Sequence, residues 1–119
     1  MLLGVSKTLR EPSYFLLAAL MDEPLHGYAI AQRASELSGG RVRLTAGTLY
    51  GALARLVADG LVAVDREVVV AGRKRRYHRL TGDGEQRLAE EAGRLRAAAA
   101  VVEEHRAPAA EPRAIAKPA

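Results

Sequence analysis

The most constraining feature of the sequence is the basic segment RKRRYHRLTGDG, residues 73–84, which places five cationic side chains within seven residues. The stretch before it, LVAVDREVVV, is rich in β-branched residues, and Ala71 and Gly72 stand between the two as a turn. Two extended runs around a short turn predict a β-hairpin over residues 61–80. The tip of this hairpin carries Arg73, Lys74 and Arg75.

Three short helices are predicted ahead of the hairpin. The first covers about residues 12–22 and has a proline in its first turn, where the missing N–H does no harm. A turn at residues 25–27 leads into a second helix over residues 27–38. The third helix follows Thr45, a suitable N-cap, and ends before Gly60.

Apolar side chains at helical spacing indicate the faces that these helices bury. In the second helix they are Ile30, Ala34 and Leu37. In the third helix they are Leu49, Leu53, Leu56 and Val57. Three helices followed by a two-stranded hairpin predict a mainly α fold with a small β-hairpin, a winged helix-turn-helix, over residues 12–81.

A longer helix is predicted over residues 82–106, after the N-cap candidate Thr81. Small and apolar side chains are spaced by 4, 3, 4 and 3 residues, which is a heptad seam formed by Leu88, Ala92, Leu95, Ala99 and Val102. The helix could instead pack on its own domain. A small domain covers only part of about six turns, at ~1.5 Å of rise per residue, so we expect the seam to join two chains.

The ends of the chain give less information. Residues 1–11 are assigned to an N-terminal extension. Residues 107–119, rich in proline and alanine, are predicted to form a disordered tail.

The positive charge is concentrated in the middle of the chain. Residues 41–79 carry nine basic and three acidic side chains, a net charge of +6, whereas the whole chain carries +4. Localised basic charge between acidic flanks is typical of a nucleic-acid surface, although a merely solvated face remains an alternative.

Candidate DNA contacts follow from the fold, because the third helix of a helix-turn-helix enters the major groove. Its outward face carries Thr48, Gly51 and Arg55, with Tyr50 beside it. Alternatively, Tyr50 packs on the second helix and Arg55 is only solvated. Strand alternation prevents all five cations of the hairpin from facing DNA, so two or three should contact phosphates. The remaining candidates are Arg41, Arg43, Arg73, Lys74, Arg75, Arg76 and Tyr77.

Several other classes of function are disfavoured. The chain has no cysteine, and its three histidines, His26, His78 and His105, lie on different elements, so we expect no enzyme, metal site or cofactor. The longest apolar run, residues 14–21, is too short to span a bilayer, which predicts a soluble, cytoplasmic protein. Two alternatives to DNA binding stay open: a dimeric protein-interaction adaptor and an RNA-binding winged helix, the latter disfavoured by the few aromatic residues.

Three motifs together resemble the PadR family of bacterial transcriptional regulators: HGYAI, GTLYGALARLVADGLV and GRKRRYHRLTGDG, within residues 13–105. The resemblance is to the short subfamily with a single C-terminal dimerisation helix. It implies a homodimeric repressor that a small molecule releases from operator DNA. From the dimer we expect a pseudo-palindromic operator in double-stranded DNA, and we expect any effector to be small and hydrophobic. It also implies that Tyr50 lies at the DNA surface and that residues 75–77 form the basic-aromatic wing strand. Some short members of the family stack flat ligands on tryptophans. This chain has no tryptophan, so we do not expect that mode of ligand binding here.

Overall fold

Three helices form the first half of the fold, close to where the sequence places them. A computed structural model describes residues 8–116, with side chains described for residues 8–106. The helices are α1 (Glu11–Ala19), α2 (Gly27–Leu37) and α3 (Ala46–Ala58). The helix α1 ends about one turn earlier than predicted. The N–H groups of Leu20 and Met21 donate to the carbonyls of Leu17 and Ala18, three residues back, instead of continuing the α-helical pattern. The predicted cap of α3 is confirmed: the Thr45 hydroxyl accepts a hydrogen bond from the N–H of Thr48 at 3.3 Å.

The sheet has three strands, one more than the sequence predicted. These are β1 (Leu25–His26), β2 (Val62–Val70) and β3 (Arg73–Leu80), in the order β1-β3-β2 and antiparallel. The predicted turn before α2 is therefore wrong, because Leu25 pairs with His78 and His26 pairs with Tyr77. Two residues are too few to show alternation in a sequence, so β1 left no recognisable pattern.

The hairpin turn has the conformation that its short length demands. Ala71 and Gly72 have φ angles of 51° and 78°. Positive φ at both central residues is typical of a type I′ turn, whose twist matches that of the strands. The predicted hairpin and the position of its turn are confirmed.

One aliphatic core holds these elements together. Every buried apolar side chain among the described residues lies between Leu16 and Leu88, and Leu53 and Ile30 are fully enclosed. Leu37 and Val57 were expected on buried faces but are 41% and 38% exposed. Each lies in the last turn of its helix, where the core no longer covers it.

The fourth helix, α4 (Gly82–Ala116), begins inside the first compact unit of the chain and continues into the second. The first unit ends at Ala89 and the second starts at Glu90. Thr81 caps α4: its hydroxyl accepts from the N–H of Gly84 at 2.9 Å and donates to the Gly60 carbonyl at 2.7 Å.

The helix α4 is longer than the sequence suggested. A disordered tail was expected from residue 107, whereas α4 continues to Ala116. Alanine is the best helix former, and five of these ten residues are alanines. Residues 1–7 and 117–119, which hold the rest of the predicted extension and tail, lie outside the described residues. No helix within the described chain is long and apolar enough to cross a membrane.

Candidate nucleic-acid interface

The helix α3 presents a small, open face to solvent. Its buried stripe of Leu49, Leu53 and Leu56 turns Thr48, Gly51 and Arg55 outward, as predicted. A Cβ atom at Gly51 would meet nothing within 4 Å, so no neighbour in this chain explains the glycine. The Thr48 hydroxyl lies 3.1 Å from that of Thr45, so it already takes part in capping the helix.

Tyr50 lies where α3 meets the start of α2. Its side chain is 58% exposed and its ring lies against the start of α2, so the DNA-surface role and the partly buried packing on α2 both stay predictions. A Cβ on Gly27 would lie only 3.1 Å from Cε1 of Tyr50 and 3.2 Å from its hydroxyl oxygen. A Cβ at position 27 would therefore require the Tyr50 ring to shift by a few tenths of an ångström. In the sequence this glycine was notable only as part of the motif HGYAI.

The tip of the hairpin carries free positive charge. Arg73 and Lys74 are exposed and Arg75 is half-buried. None of the three forms a salt bridge with any side chain in residues 8–106. Their charges remain available to an external anion, and we call these three residues the wing tip.

Two of the predicted phosphate contacts, Arg41 and Arg76, form ion pairs within the chain. Arg41 donates two hydrogen bonds to the Glu11 carboxylate, at 2.7 and 3.0 Å. Because of this pairing, the pKa of Glu11 is lowered and that of Arg41 is raised. Arg76 binds Glu67 across the hairpin, from Nε at 2.9 Å and from Nη2 at 2.8 Å. The sequence could not show the first pair, because its partners lie thirty residues apart.

The other two predicted contacts have local partners of their own. The Nε atom of Arg43 donates to the Gly40 carbonyl at 3.1 Å, and its side chain is exposed. Tyr77 is half-buried, with the Arg66 guanidinium 4.2 Å above its ring and the His26 ring at 5.5 Å. Tyr77 thus braces the base of the hairpin.

A cleft of about 600 Å³ lies between the start of α2, Tyr50 and the hairpin. The wing tip lines it, together with two histidines that the sequence did not single out as contacts, His26 and His78. Burial lowers the pKa of His78, and the neighbouring Arg76 lowers it further. The pKa of His26 is lowered in the same way, by burial and by Arg75. Both imidazoles are therefore neutral near pH 7.

The predicted seam on α4 divides between two environments. Leu88 is buried in the core of its own unit, so it is unavailable to a second chain. Ala92 is half-buried, whereas Leu95, Ala99 and Val102 are exposed. Leu95 is 43% and Val102 58% exposed, and the adjacent Val101 adds a further apolar side chain at 60%.

Comparison with known proteins agrees with this geometry. Residues 16–90 match the model of the transcriptional regulator PadR-like family. The transcriptional regulator Rv3488 of Mycobacterium tuberculosis is 44% identical over 70 residues, 59% of this chain and 62% of that protein. An uncharacterized 37.1 kDa protein in transposon TN4556 of Streptomyces fradiae is 48% identical over 77 residues, 65% of this chain and 21% of that protein. The chain thus spans about three fifths of the length of the first relative and about a fifth of the length of the second.

Solved structures share the fold. A PadR-like transcription factor from Bacteroides fragilis is 31% identical, with a TM-score of 0.65 over 77% of this chain and 86% of that chain. A PadR family regulator from Clostridium difficile has a TM-score of 0.67 at 24% identity, covering 81% of this chain and 98% of that one. Bacillus subtilis PadR, solved in complex with operator DNA, has a TM-score of 0.60 at 24% identity, covering 68% and 47%.

Proposed function

Because the chain belongs to the PadR-like family of transcriptional regulators, we propose that it binds a specific double-stranded DNA operator as a homodimeric repressor. The observation that carries this proposal is the pairing of two features in one compact unit. Tyr50, beside the open outer face of α3, lines the same cleft as a hairpin tip whose three cations form no salt bridge within residues 8–106. A solvated basic face or an adaptor has no need of this arrangement.

In the proposed complex, each chain places α3 in the major groove. Gly51 lets the backbone approach the bases, and Arg55 reaches a phosphate or a guanine edge. The wing tip binds phosphates at the flank of the site, where its unpaired charge releases counterions. Arg41 and Arg76 contribute less, because each would first have to leave its carboxylate partner.

The dimer sets the spacing of the two reading helices. Leu95, Ala99 and Val102, all exposed in the single chain, form the centre of the proposed seam with a second copy. Two α3 helices then face successive major grooves of a pseudo-palindromic site, about 34–36 Å apart. A small hydrophobic effector would release the DNA by altering this spacing, for a coupling free energy of typically ~1–3 kcal/mol.

The direct test is fluorescence anisotropy with DNA from immediately upstream of the gene, compared with a scrambled duplex across a salt series. We expect tight binding to the first duplex only. Equal and steeply salt-dependent binding to both would reduce the proposal to nonspecific binding. No binding to either duplex would overturn it and favour the protein-interaction adaptor.

Two variants assign the contacts. Tyr50→Phe removes a hydroxyl and Arg75→Ala removes a half-buried cationic side chain, so both should weaken DNA binding while the dimer stays intact. Arg75→Ala should also reduce the salt slope by about 1. Arg106→Ala removes the same charge from an exposed position on α4 and is the matched control. Unchanged affinity in Tyr50→Phe or Arg75→Ala would show that the contact is assigned wrongly.

A further inference from the structure

We propose that the cleft between the start of α2 and the hairpin binds a single phosphate, with the imidazole of His78 as a hydrogen-bond donor at its floor. Under the proposed function this phosphate belongs to the DNA backbone, so the inference rests on that function for its ligand. The chemistry that the cleft recognises is a tetrahedral oxyanion. Four observations in the first unit of the chain support it.

The first observation is the bare start of α2. This helix has eleven residues, and its N-cap, His26, makes no side-chain hydrogen bond to the first turn. The first N–H groups of a helix have no partner within the helix, and the helix dipole adds partial positive charge there. Gly27 and Tyr28, which begin α2, both line the cleft.

The second observation is the hydroxyl of Tyr50. It approaches the start of α2 so closely that a Cβ on Gly27 would lie 3.2 Å from it. The glycine therefore allows a side-chain donor to stand beside the bare helix end. An oxyanion at this point would receive hydrogen bonds from two different helices.

The third observation is the unsatisfied nitrogen of His78. This residue is only 6% exposed, it lines the cleft, and its Nδ1 atom has no hydrogen-bond partner among the described residues. A buried polar atom without a partner costs free energy and calls for a ligand or a functional reason. Its strand position fixes it there, because His78 pairs with Leu25, two residues before α2 begins.

The fourth observation is the charge of the lining. The wing tip supplies three cations that form no salt bridge with the side chains of residues 8–106, and Glu67, the acidic residue of the lining, is bound by Arg76. An anion entering the cleft therefore meets no free carboxylate among its lining residues. Burial lowers the pKa of His78, so its imidazole is neutral near pH 7 and contributes a hydrogen bond rather than a charge. The positive charge that attracts the anion comes from the wing tip.

The first experiment compares two replacements of His78 by anisotropy with a duplex that the wild type binds. Asparagine can place a donor near the position of Nδ1, whereas leucine cannot. We expect His78→Leu to weaken binding about tenfold, the typical loss for one buried hydrogen bond to a charged group, and His78→Asn to restore most of it. His105→Leu, at an exposed position on α4, is the control. Equal affinity for leucine and asparagine variants of matched thermal stability would overturn the inference.

The second experiment needs no operator and separates the two proposals. Wild-type protein is titrated with inorganic phosphate and, separately, with a short duplex of arbitrary sequence, while NMR follows the Gly27 amide and the His78 ring. Shifts of both signals with the duplex support a DNA phosphate in the cleft. Shifts with phosphate but none with the duplex would keep the pocket and assign it to a free phosphate compound, leaving operator binding to the anisotropy test above. Absence of shifts with both ligands would overturn the pocket itself.

Discussion

The helices α3 and α4 both carry an apolar stripe at regular spacing, but among residues 8–106 only the stripe on α3 is covered along its length. On α3 the leucines at 49, 53 and 56 are at most 4% exposed. On the part of α4 whose side chains are described, Leu88 belongs to the core, while Leu95, Val101 and Val102 are between 43% and 60% exposed. Periodicity thus reveals that a face is apolar without revealing what covers it. The first stripe packs into the core of the folded unit, whereas the second is exposed on α4 and is the stripe that the proposed dimer would cover.

The largest expected effect is on the covered stripe. Leu53→Ala removes a fully enclosed side chain and leaves a cavity, so it should lower the free energy of unfolding by about 2–5 kcal/mol. Leu95→Ala should cost far less at concentrations where the chain is monomeric. Urea titrations of both variants, read by circular dichroism, make the measurement. Similar losses at low protein concentration would break the distinction between the two stripes.

A change in the exposed stripe of α4 should alter the oligomeric state of the protein rather than its free energy of unfolding. Leu95→Glu places a charge in the centre of the proposed seam, so the mass from light scattering should fall from that of two chains to that of one. The far-ultraviolet circular dichroism spectrum of the chain should stay the same. Ala97→Glu adds the same charge at an exposed position two residues after Leu95, on a different face of the helix from the seam, and should leave the dimer intact. A dimer that survives Leu95→Glu would show that another surface joins the chains.

Acid should lower the free energy of unfolding through the buried His78. The pKa of His78 lies below its ordinary value of about 6.5 because burial disfavours the imidazolium, and Arg76 adds repulsion. The unfolded chain therefore takes up a proton near pH 6.5 that the folded chain refuses. Stability should be complete above that pH and fall below it, by no more than about 1.4 kcal/mol per pH unit for this group.

Unfolding midpoints between about pH 5 and 7.5 test this expectation. His26 shares the direction of the shift, so His78→Leu should reduce the slope without removing it. His105→Leu should keep the slope of the wild type. If the His78 variant has the same acid sensitivity as the wild type, the burial of that imidazole does not control it.

The smallest effect concerns the uncovered side of α3. Gly51→Ala should stabilise the protein by about 0.5–1 kcal/mol, because the site is open and alanine favours the helix. The same methyl group should weaken DNA binding if the helix backbone approaches the bases there. Thermal unfolding and anisotropy on one sample check both signs. A variant that gains stability and keeps its affinity would remove Gly51 from the interface.

Local patterns in the sequence predicted most of the fold. Thr45 and Thr81 cap the helices that they were expected to cap, and the turn at Ala71 and Gly72 lies where the hairpin needed it. These features depend on residues only a few positions apart. The PadR-like family was likewise recognisable from three short motifs, and the family match over residues 16–90 confirms it.

Long-range features escaped prediction for physical reasons. The strand β1 was missed because two residues show no period, and it makes β3 a central strand, which buries His78. Arg41 could not be recognised as paired, because Glu11 reaches it only in the folded chain. A basic residue in a sequence is therefore a candidate contact, and its availability is decided by the tertiary structure.

The open edge of the sheet gives the wing tip a second consequence. The strand β2 has a partner on one side only, and it ends in three successive valines, of which Val69 is 69% exposed. A β-branched edge of this kind can template the pairing of one molecule with another and so seed aggregation. Positive charges across the hairpin oppose such stacking, acting as gatekeepers. Neutralising Arg73, Lys74 and Arg75 together would thus reduce the solubility of the protein even where no DNA is present.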